Sequence, residues 1–493
     1  VLRLRLLGEG EVPEAGSVSS GRAAARAAVA LCAASLLASC ATQGGGRAGE
    51  AAAARAAAYP AARFVVVSDV HVYAPPVYEP PSPRAAAEAG GRPWASLSLA
   101  LFREAVSRAI ALKPDFVLIP GDLTKDGELS SHEAVVGELD RLAASGVRAY
   151  VVPGNHDVEN PRAQTYEGGE LVALPSPSAS RFAELYGGYG YAGAISRDRD
   201  SLSYVARLAP GLRLLAIDPF RRPPRPDPWN PEPAREIGAG TMAWIRAQLA
   251  EAEGAGDRVI AMSHLSVVEH FEGQARFFPS TLAREWRSLA ELLASRGVEL
   301  AFTGHFHIQD VTLESFPGGG RLYDVVTGSL ASYPTPYRLV ELKPREGGTA
   351  PLGAADIAGT APGGLSPGAS PVCAADIETR YLADFAPPPG GGEPPSSPAA
   401  PSRRALESWM KSVLELKLKS AFVPSSEAEA LASRFARAYV ALVAGDESPA
   451  PGDDELPEAR SLAGRAASRF VGPLLKSLWR DLAPADNDLE ISL

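Results

Sequence analysis

Cysteine is nearly absent: three residues in 493, at Cys32, Cys40 and Cys373. Two of them fall in the first 40 residues, so the rest of the chain keeps one and cannot be framed by intramolecular disulfides. Long Lys/Arg runs are missing as well, and the formal net charge is −10. General nucleic-acid binding needs a positive surface that displaces counterions from phosphates, so no nucleic-acid partner is expected. An acidic balance does not exclude a phosphate substrate, because bound divalent cations can supply positive charge locally. Histidine is scarce too, seven in all, and unevenly placed. Proline and glycine are plentiful (44 and 47) and clustered, which marks linkers between folded parts. With 46% hydrophobic residues, the length allows one large domain and a smaller second one.

Arg22 and Arg26 precede an Ala/Leu/Val-rich run from Ala27 to Leu37, too short to span a bilayer comfortably. A basic flank, a short apolar stretch and small residues before a cut site describe an export signal, here residues 1–39. Leu37-Ala38-Ser39-Cys40 resembles a bacterial lipobox, which implies lipidation of Cys40. The alternative is an Ala-rich tail that happens to contain a cysteine. Residues 40–62 read as a flexible tether. The expected location is the cell envelope, outside the cytoplasm, with the chain held to a bacterial membrane by its lipid.

From Arg63 the pattern changes to alternating strands and helices. Phe64–Val67, Phe116–Ile119 and Val147–Val152 are short apolar runs expected as buried strands, with a helix over Leu97–Leu112 between the first two. Ser130-Ser131-His132-Glu133 reads as a capping box opening the next helix. Further strands are expected at 201–208, 212–217, 259–262, 300–302, 322–326 and 338–342, and helices at 242–252 and 282–295. The pair around Pro210-Gly211 reads as a hairpin, so the sheets are mixed. This order implies an α/β class over a domain from 63 to 345. Residues 346–402 read as a Pro/Gly-rich linker or long loop, and 403–493 as a helical C-terminal region, with helices at 406–418, 427–443 and 459–482.

Five short pieces each stand where a strand ends: Asp69-Val70-His71, Gly121-Asp122, Gly154-Asn155-His156-Asp157, His264, and Gly304-His305-Phe306-His307. Ligands of α/β folds collect at the carboxyl ends of strands. Five of the seven histidines lie in these pieces. Carboxylate, imidazole and amide oxygen together suit Mn, Fe or Zn, whereas a calcium site would be all oxygen. Each piece alone is weak, since a single buried His is usually a satisfied core residue. Their joint order is not.

The set resembles the calcineurin-like metallophosphoesterase family, whose pattern runs D-x-H, G-D, G-N-H-[D/E], H, G-H-x-H. The resemblance covers roughly residues 63 to 343 and implies a four-layer αββα sandwich of two mixed sheets. It implies that Asp69, His71, Asp122 and His307 hold one divalent metal. Asp122, Asn155, His264 and His305 would hold the other, with Asp122 bridging and His156 as the catalytic group over the substrate oxygens. The implied reaction is phosphoester hydrolysis by a metal-bridging hydroxide, with two ions clamping the phosphoryl oxygens. Lys125 stands where purple acid phosphatases carry Tyr, and Gly121-Asp122-Leu123-Thr124 departs from the protein-phosphatase form. The pattern looks most like the cyclic-nucleotide phosphodiesterase-like branch, so a diester is preferred over a monoester. The substrate expected is a small-molecule or lipid phosphate ester. A catalytically silent surface binding module on the same fold, and a nuclease, are the competing readings.

Lesser candidates have plainer readings. His132 is expected on the surface, and His270 could line the pocket. Arg221, Arg222 and Arg225 could gather phosphate charge or simply occupy a solvated loop. The aromatic run from Tyr186 to Tyr191 reads as packing. The C-terminal helices carry no catalytic set, and capping an exposed sheet is their default role.

Overall fold

The structure is a computed structural model, and it describes residues 58–76, 95–222, 233–344, 373–381, 403–420, 423–444 and 489–492. All of them belong to one unit running from Ala56 to Leu493. The export segment, Cys40, most of the tether, Arg225 and the helix expected at 459–482 lie outside the described residues. No helix among the described residues is long and apolar enough to cross a membrane.

The chain opens with β1 (Ala62–Val66), α1 (Ser98–Leu112), β2 (Phe116–Ile119), α2 (Leu129–Ala144) and β3 (Arg148–Val151). All four residues of β2 are buried, as an apolar strand covered on both faces requires. In α1 the buried positions Phe102, Ala105, Val106 and Ala109 recur at helical spacing and make one apolar stripe. The helix stops at Lys113, whose left-handed backbone turns its N–H back onto the carbonyls of Ala109 and Ile110.

The next elements are β4 (Gln164–Glu167), β5 (Glu170–Ala173), α3 (Ala179–Leu185), β6 (Ser196–Arg197), β7 (Tyr204–Ala209) and β8 (Leu212–Ile217). They are followed by α4 (Ala239–Ala255), β9 (Arg258–Ser263), the single turn α5 (Gln274–Phe277), α6 (Trp286–Ser295), β10 (Leu300–Thr303), β11 (Asp310–Ser315) and β12 (Arg321–Val326). Last come β13 (Pro336–Pro344), β14 (Cys373–Tyr381), α7 (Arg403–Ser420), α8 (Ser425–Ala444) and β15 (Leu489–Ser492).

Among the described residues one sheet has the order β15-β14-β13-β1-β2-β3 and a second the order β11-β12-β10-β9-β8-β7-β6. The strands β1, β2 and β3 are parallel, as are β8, β9, β10 and β12, while β13 runs antiparallel to β1. The expected hairpin is the antiparallel pair β7–β8. Phe64 on β1 stacks on Phe116 at 4.7 Å and meets Phe302 of the other sheet edge-on at 5.2 Å, so one aromatic cluster joins the sheets. Phe102, Val106, Val135 and Leu139 extend that core from α1 and α2. Ile245, Leu249, Leu289 and Leu293 of α4 and α6 bury the outer side of the second sheet. The result is the expected αββα sandwich of two mixed sheets.

Two local expectations fail. The residue before α2 is Glu128, without a side-chain capping bond, and the supposed cap Ser130 lies inside the helix, one residue past its first; its neighbour Ser131 is buried, its Oγ accepting from the Ala74 N–H at 3.0 Å. Within the interval expected to be a linker, Cys373–Tyr381 is a strand that pairs along its whole length with β13. Its Ala/Asp/Glu/Thr composition lacks an apolar signal, because its pairing comes from the neighbouring strand's backbone.

Candidate metal centre

Asp69 lies three residues beyond β1, Asp122 three beyond β2, Asn155 and His156 just beyond β3, His264 directly after β9 and His305 two residues after β10. Parallel strands therefore bring five loops from both sheets to one edge of the sandwich. The backbone there is unusual. Of the eight non-glycine residues with positive φ among those described, five are expected ligands: Asp69 (49°), His71 (43°), Asp122 (49°), His305 (68°) and His307 (60°). Each such conformation costs on the order of 1–3 kcal/mol and persists only where surrounding structure over-determines it, which is characteristic of functional sites.

Close backbone approach explains two glycines. A Cβ on Gly154 would collide with the Asp122 carboxylate and amide, and one on Gly304 with Ser68 Oγ and Asp69 Oδ2. The loops are then tied together by hydrogen bonds. Asp157 is fully buried, and its carboxylate accepts from the N–H groups of Leu123, Thr124 and Gly154 at 2.8–3.1 Å and from Thr124 Oγ1 at 2.9 Å. Asp69 accepts from the His305 N–H at 3.0 Å and from Ser68 Oγ at 2.5 Å, while Ser329 Oγ donates to the Asp69 carbonyl at 2.8 Å.

The side chains converge in two sets of donors. Asp69, His71, Asp122 and His307 form one, and Asp122, His264 and His305 the other, each with ligand atoms within 4.8 Å of one another. Asp122 belongs to both: its Oδ2 lies 3.6 Å from His71 Nε2 and its Oδ1 3.4 Å from His264 Nε2. Asn155 Oδ1 lies 3.1 Å from His264 Nε2, which places the amide in the second set. The nitrogen pairs His71 Nε2–His307 Nε2 and His264 Nε2–His305 Nδ1 are separated by 3.1 and 3.2 Å. Two nitrogens about 2.0–2.1 Å from one cation, at angles between octahedral and tetrahedral, stand about 2.8–3.4 Å apart. The donor spacing therefore fits a transition-metal ion.

Outer hydrogen bonds select the ring nitrogens. His264 Nδ1 donates to the Pro120 carbonyl at 2.8 Å and His305 Nε2 to the Ser280 carbonyl at 3.1 Å, leaving the other nitrogen of each ring toward the centre. Burial alone would push the Asp122 carboxyl up. The imidazoles of His264, His156 and His71 outweigh it and hold the group well below the usual carboxylate range. Asp69 is likewise lowered, burial being outweighed by His307 and His264. At His264 burial opposes protonation, yet Asp122 and Asp69 raise the ring to about 9. His305 is pushed down to about 3 by burial and by its positive neighbour His264. The pair thus shares one proton beyond the N–H that each neutral ring keeps, and a divalent cation competes for its position.

The calcineurin-like phosphoesterase family profile matches residues 62–309. The chain belongs to this family. Comparison with curated proteins finds no match. Among solved structures, a dimetal phosphatase from Danio rerio is 17% identical, covering 57% of this chain and 95% of that one, with a TM-score of 0.39. A purple acid phosphatase from yellow lupin seeds is 13% identical, covering 66% of this chain and 52% of that one, at 0.37. A phosphopantetheinyl hydrolase from Mycobacterium tuberculosis is 14% identical, covering 54% and 89%, at 0.28. This chain is thus a metal-dependent phosphoesterase by family, with a divalent metal centre in its Asp/His clusters.

For a calcineurin-like phosphoesterase, the placement of His156 is informative. Its ring meets His71 edge-on at 5.3 Å, and its Nε2 lies 3.9 Å from Asp122 Oδ2. Its Nδ1 is 2.8 Å from Asp126 Oδ1, so the carboxylate fixes the ring with Nε2 toward the centre. Asp126, missed in the sequence reading, is in turn bonded to buried Lys125, whose Nζ also sits 5.2 Å from the Tyr73 ring centre. A carboxylate four residues after Asp122 in the same loop was the available signal.

The lesser candidates divide differently from expectation. His132 is fully buried, with Nε2 2.8 Å from the Asp157 carbonyl and Nδ1 2.8 Å from Tyr186 Oη, so it supports the Asn155–Asp157 loop from behind. An isolated polar-flanked histidine gave no sign of that partner. His270 does not line the centre: it is buried against Asp310 at 2.5 Å and Asp324 at 3.4 Å. Arg221 pairs with Glu236 and Arg222 with buried Asp218, which accounts for both charges. Tyr186, Tyr189 and Tyr191 are core residues, as expected.

Proposed function

We propose that this chain is a two-cation phosphoesterase hydrolysing phosphodiesters in preference to monoesters, on a small-molecule or lipid phosphate ester. The reading is supported above all by Asp122, whose two oxygens face two separate sets of donors while His156 stands beside them. Mn, Fe or Zn suits the mixed carboxylate, imidazole and amide set. Bound there, such ions supply Lewis acidity toward phosphoryl oxygens and a nucleophilic water at neutral pH. The residues do the rest. Asp122 and Asp69 bring negative charge that retains the cations, Asn155 adds a neutral oxygen, and His156, oriented by Asp126, holds a proton at Nε2 for the leaving oxygen.

The Gly-Asp-Leu-Thr and Gly-Asn-His-Asp forms favour the cyclic-nucleotide phosphodiesterase-like branch. The motif ending at Cys40 favours a lipid-anchored form at the bacterial cell envelope. The test is hydrolysis of a chromogenic phosphodiester and its matching monoester by metal-free protein supplied with Mn(II), Zn(II) or Fe(II). Metal-dependent turnover lost in Asn155→Ala and His156→Ala is the expected result, and the diester/monoester ratio assigns the class. A folded protein that binds no metal and turns over neither ester refutes the reading. Globomycin-sensitive maturation, lost in Cys40→Ala, tests the anchor separately.

A further inference from the structure

Phe306, the residue between the two ligand histidines, points away from the centre into a separate apolar cluster. That cluster joins Phe271, Phe306, Ile308 and Val326 of the catalytic part to Phe435, Ala438 and Val440 of α8, with Tyr439 and Met410 on its margin. Phe306 lies 5.0 Å from the Phe278 ring and 6.4 Å from the Tyr439 ring, and Tyr439 stacks on Phe435 at 6.4 Å. The helical pair has its own small core of Leu418, Val423, Ala428, Leu431 and Ala432. It therefore presents a preformed surface to the segment that carries His305 and His307.

Two features make that contact matter to the centre. Both histidines flanking Phe306 hold left-handed backbone, at 68° and 60°, so the segment needs an external support to keep a strained shape. Phe278 also begins the turn that carries Ser280, whose carbonyl accepts the Nε2 proton of His305 and leaves Nδ1 for the cation. That turn is closed by Gln274 Nε2 donating to Thr281 Oγ1 at 2.8 Å and Thr281 Oγ1 donating to the Phe278 carbonyl at 2.7 Å. A continuous packed path therefore runs from α8 through Phe306 and Phe278 to the ring of His305.

We propose that the C-terminal helical pair is a working part of the metal centre, with Phe435 and Tyr439 as positioning residues that hold Phe306 and the Ser280 turn so that His305 presents Nδ1 to a cation. This rests on the two-cation reading above and extends it to a segment without ligands. Losing the Tyr439 ring frees one side of Phe306 and loosens both the strained segment and the Ser280 carbonyl. The cation held by His264, Asn155 and His305 is then affected most, because only that site depends on the Ser280 bond.

The test is titration of metal-free full-length protein with Mn(II) or Zn(II), measuring stoichiometry and affinity by calorimetry and by metal analysis after dialysis. The parent protein binds two equivalents. Tyr439→Ala weakens one of them by about tenfold or more, the scale of lost outer support for a metal ligand. Tyr439→Phe, which keeps the ring, binds as the parent does. Phe435→Leu is the milder variant should Tyr439→Ala fail to fold, and it weakens the same equivalent. Leu249→Ala, in the core under α4, controls for general destabilisation and leaves both affinities intact. Two equivalents bound at parental affinity by Tyr439→Ala or Phe435→Leu overturn the inference alone. A parent that binds no metal overturns the two-cation reading with it.

Discussion

Glu128 is fully buried at the start of α2, six residues after Asp122, and Glu128→Gln tests whether the electrostatics behind His156 are understood. Its Oε2 accepts from the Asp126 N–H at 3.2 Å, its Oε1 has no hydrogen-bond partner, and the nearest cation, Lys125 Nζ, lies 4.0 Å away. Burial outweighs that lysine and, with Asp126 nearby, lifts the carboxyl from 4.5 to about 7. The folded state therefore keeps a proton that the unfolded chain releases. Below pH 4.5 both states are protonated and nothing is lost. As pH rises from 4.5 to about 7 the native state is progressively disfavoured, and above 7 the loss is constant. At about 1.4 kcal/mol for each tenfold in the proton equilibrium, the full loss is about 3 kcal/mol as an upper bound. Glutamine keeps the acceptor for Asp126 and cannot ionise. The variant should match the parent near pH 4.5 and exceed it by about 1–3 kcal/mol at pH 8. Urea unfolding of both proteins at the two pH values measures this. An equal difference at both, or a variant less stable at pH 8, refutes the reasoning.

Asp126→Asn should lower kcat for a phosphoester about tenfold or more while metal stoichiometry stays unchanged, because it loosens the His156 ring without touching a ligand. Equal loss of bound metal would show that Asp126 acts through the ligands instead. Asp157→Ala should destabilise the fold by about 3–5 kcal/mol, since it strands buried donors on both ligand loops; a fall in stability below about 1 kcal/mol contradicts that. Removing divalent metal with a chelator should abolish turnover and lower the melting temperature, both recovering on addition of Mn(II), because ligands that bind only the folded state stabilise it by mass action. An unchanged melting temperature counts against a site formed on folding.

Much of the site was readable because its chemistry is written in contiguous pieces. Asp69-Val70-His71, Gly154-Asn155-His156-Asp157 and Gly304-His305-Phe306-His307 each carry ligand types beside the glycines or small residues that let loops approach. The strands were readable for a related reason: β2 and β9 are buried along their length, so their apolar runs survive in sequence. His132 was misjudged because its partners, Tyr186 and the Asp157 carbonyl, lie 54 and 25 residues away, and nothing local announces them. β14 went unseen because its residues carry no apolar run and its place between β13 and β15 comes from backbone pairing with strands distant in sequence, and β11 because its residues Asp310-Val311-Thr312 are mostly polar yet buried by ion pairs and hydroxyl bonds.

By itself the sequence determined the chemistry available: which side chains can bind a cation, in what order they come, and that five loops carry them. It also set the α/β order of elements, because periodicity and turn residues are local properties. Tertiary structure decided which oxygen of Asp122 faces which donors, and that His156 is turned by Asp126. It also brought a C-terminal helix against the residue between two ligands. Those are relations between segments distant along the chain. They follow from the stacking of two sheets and the strained backbone that packing sustains, neither of which leaves a mark within any one short stretch.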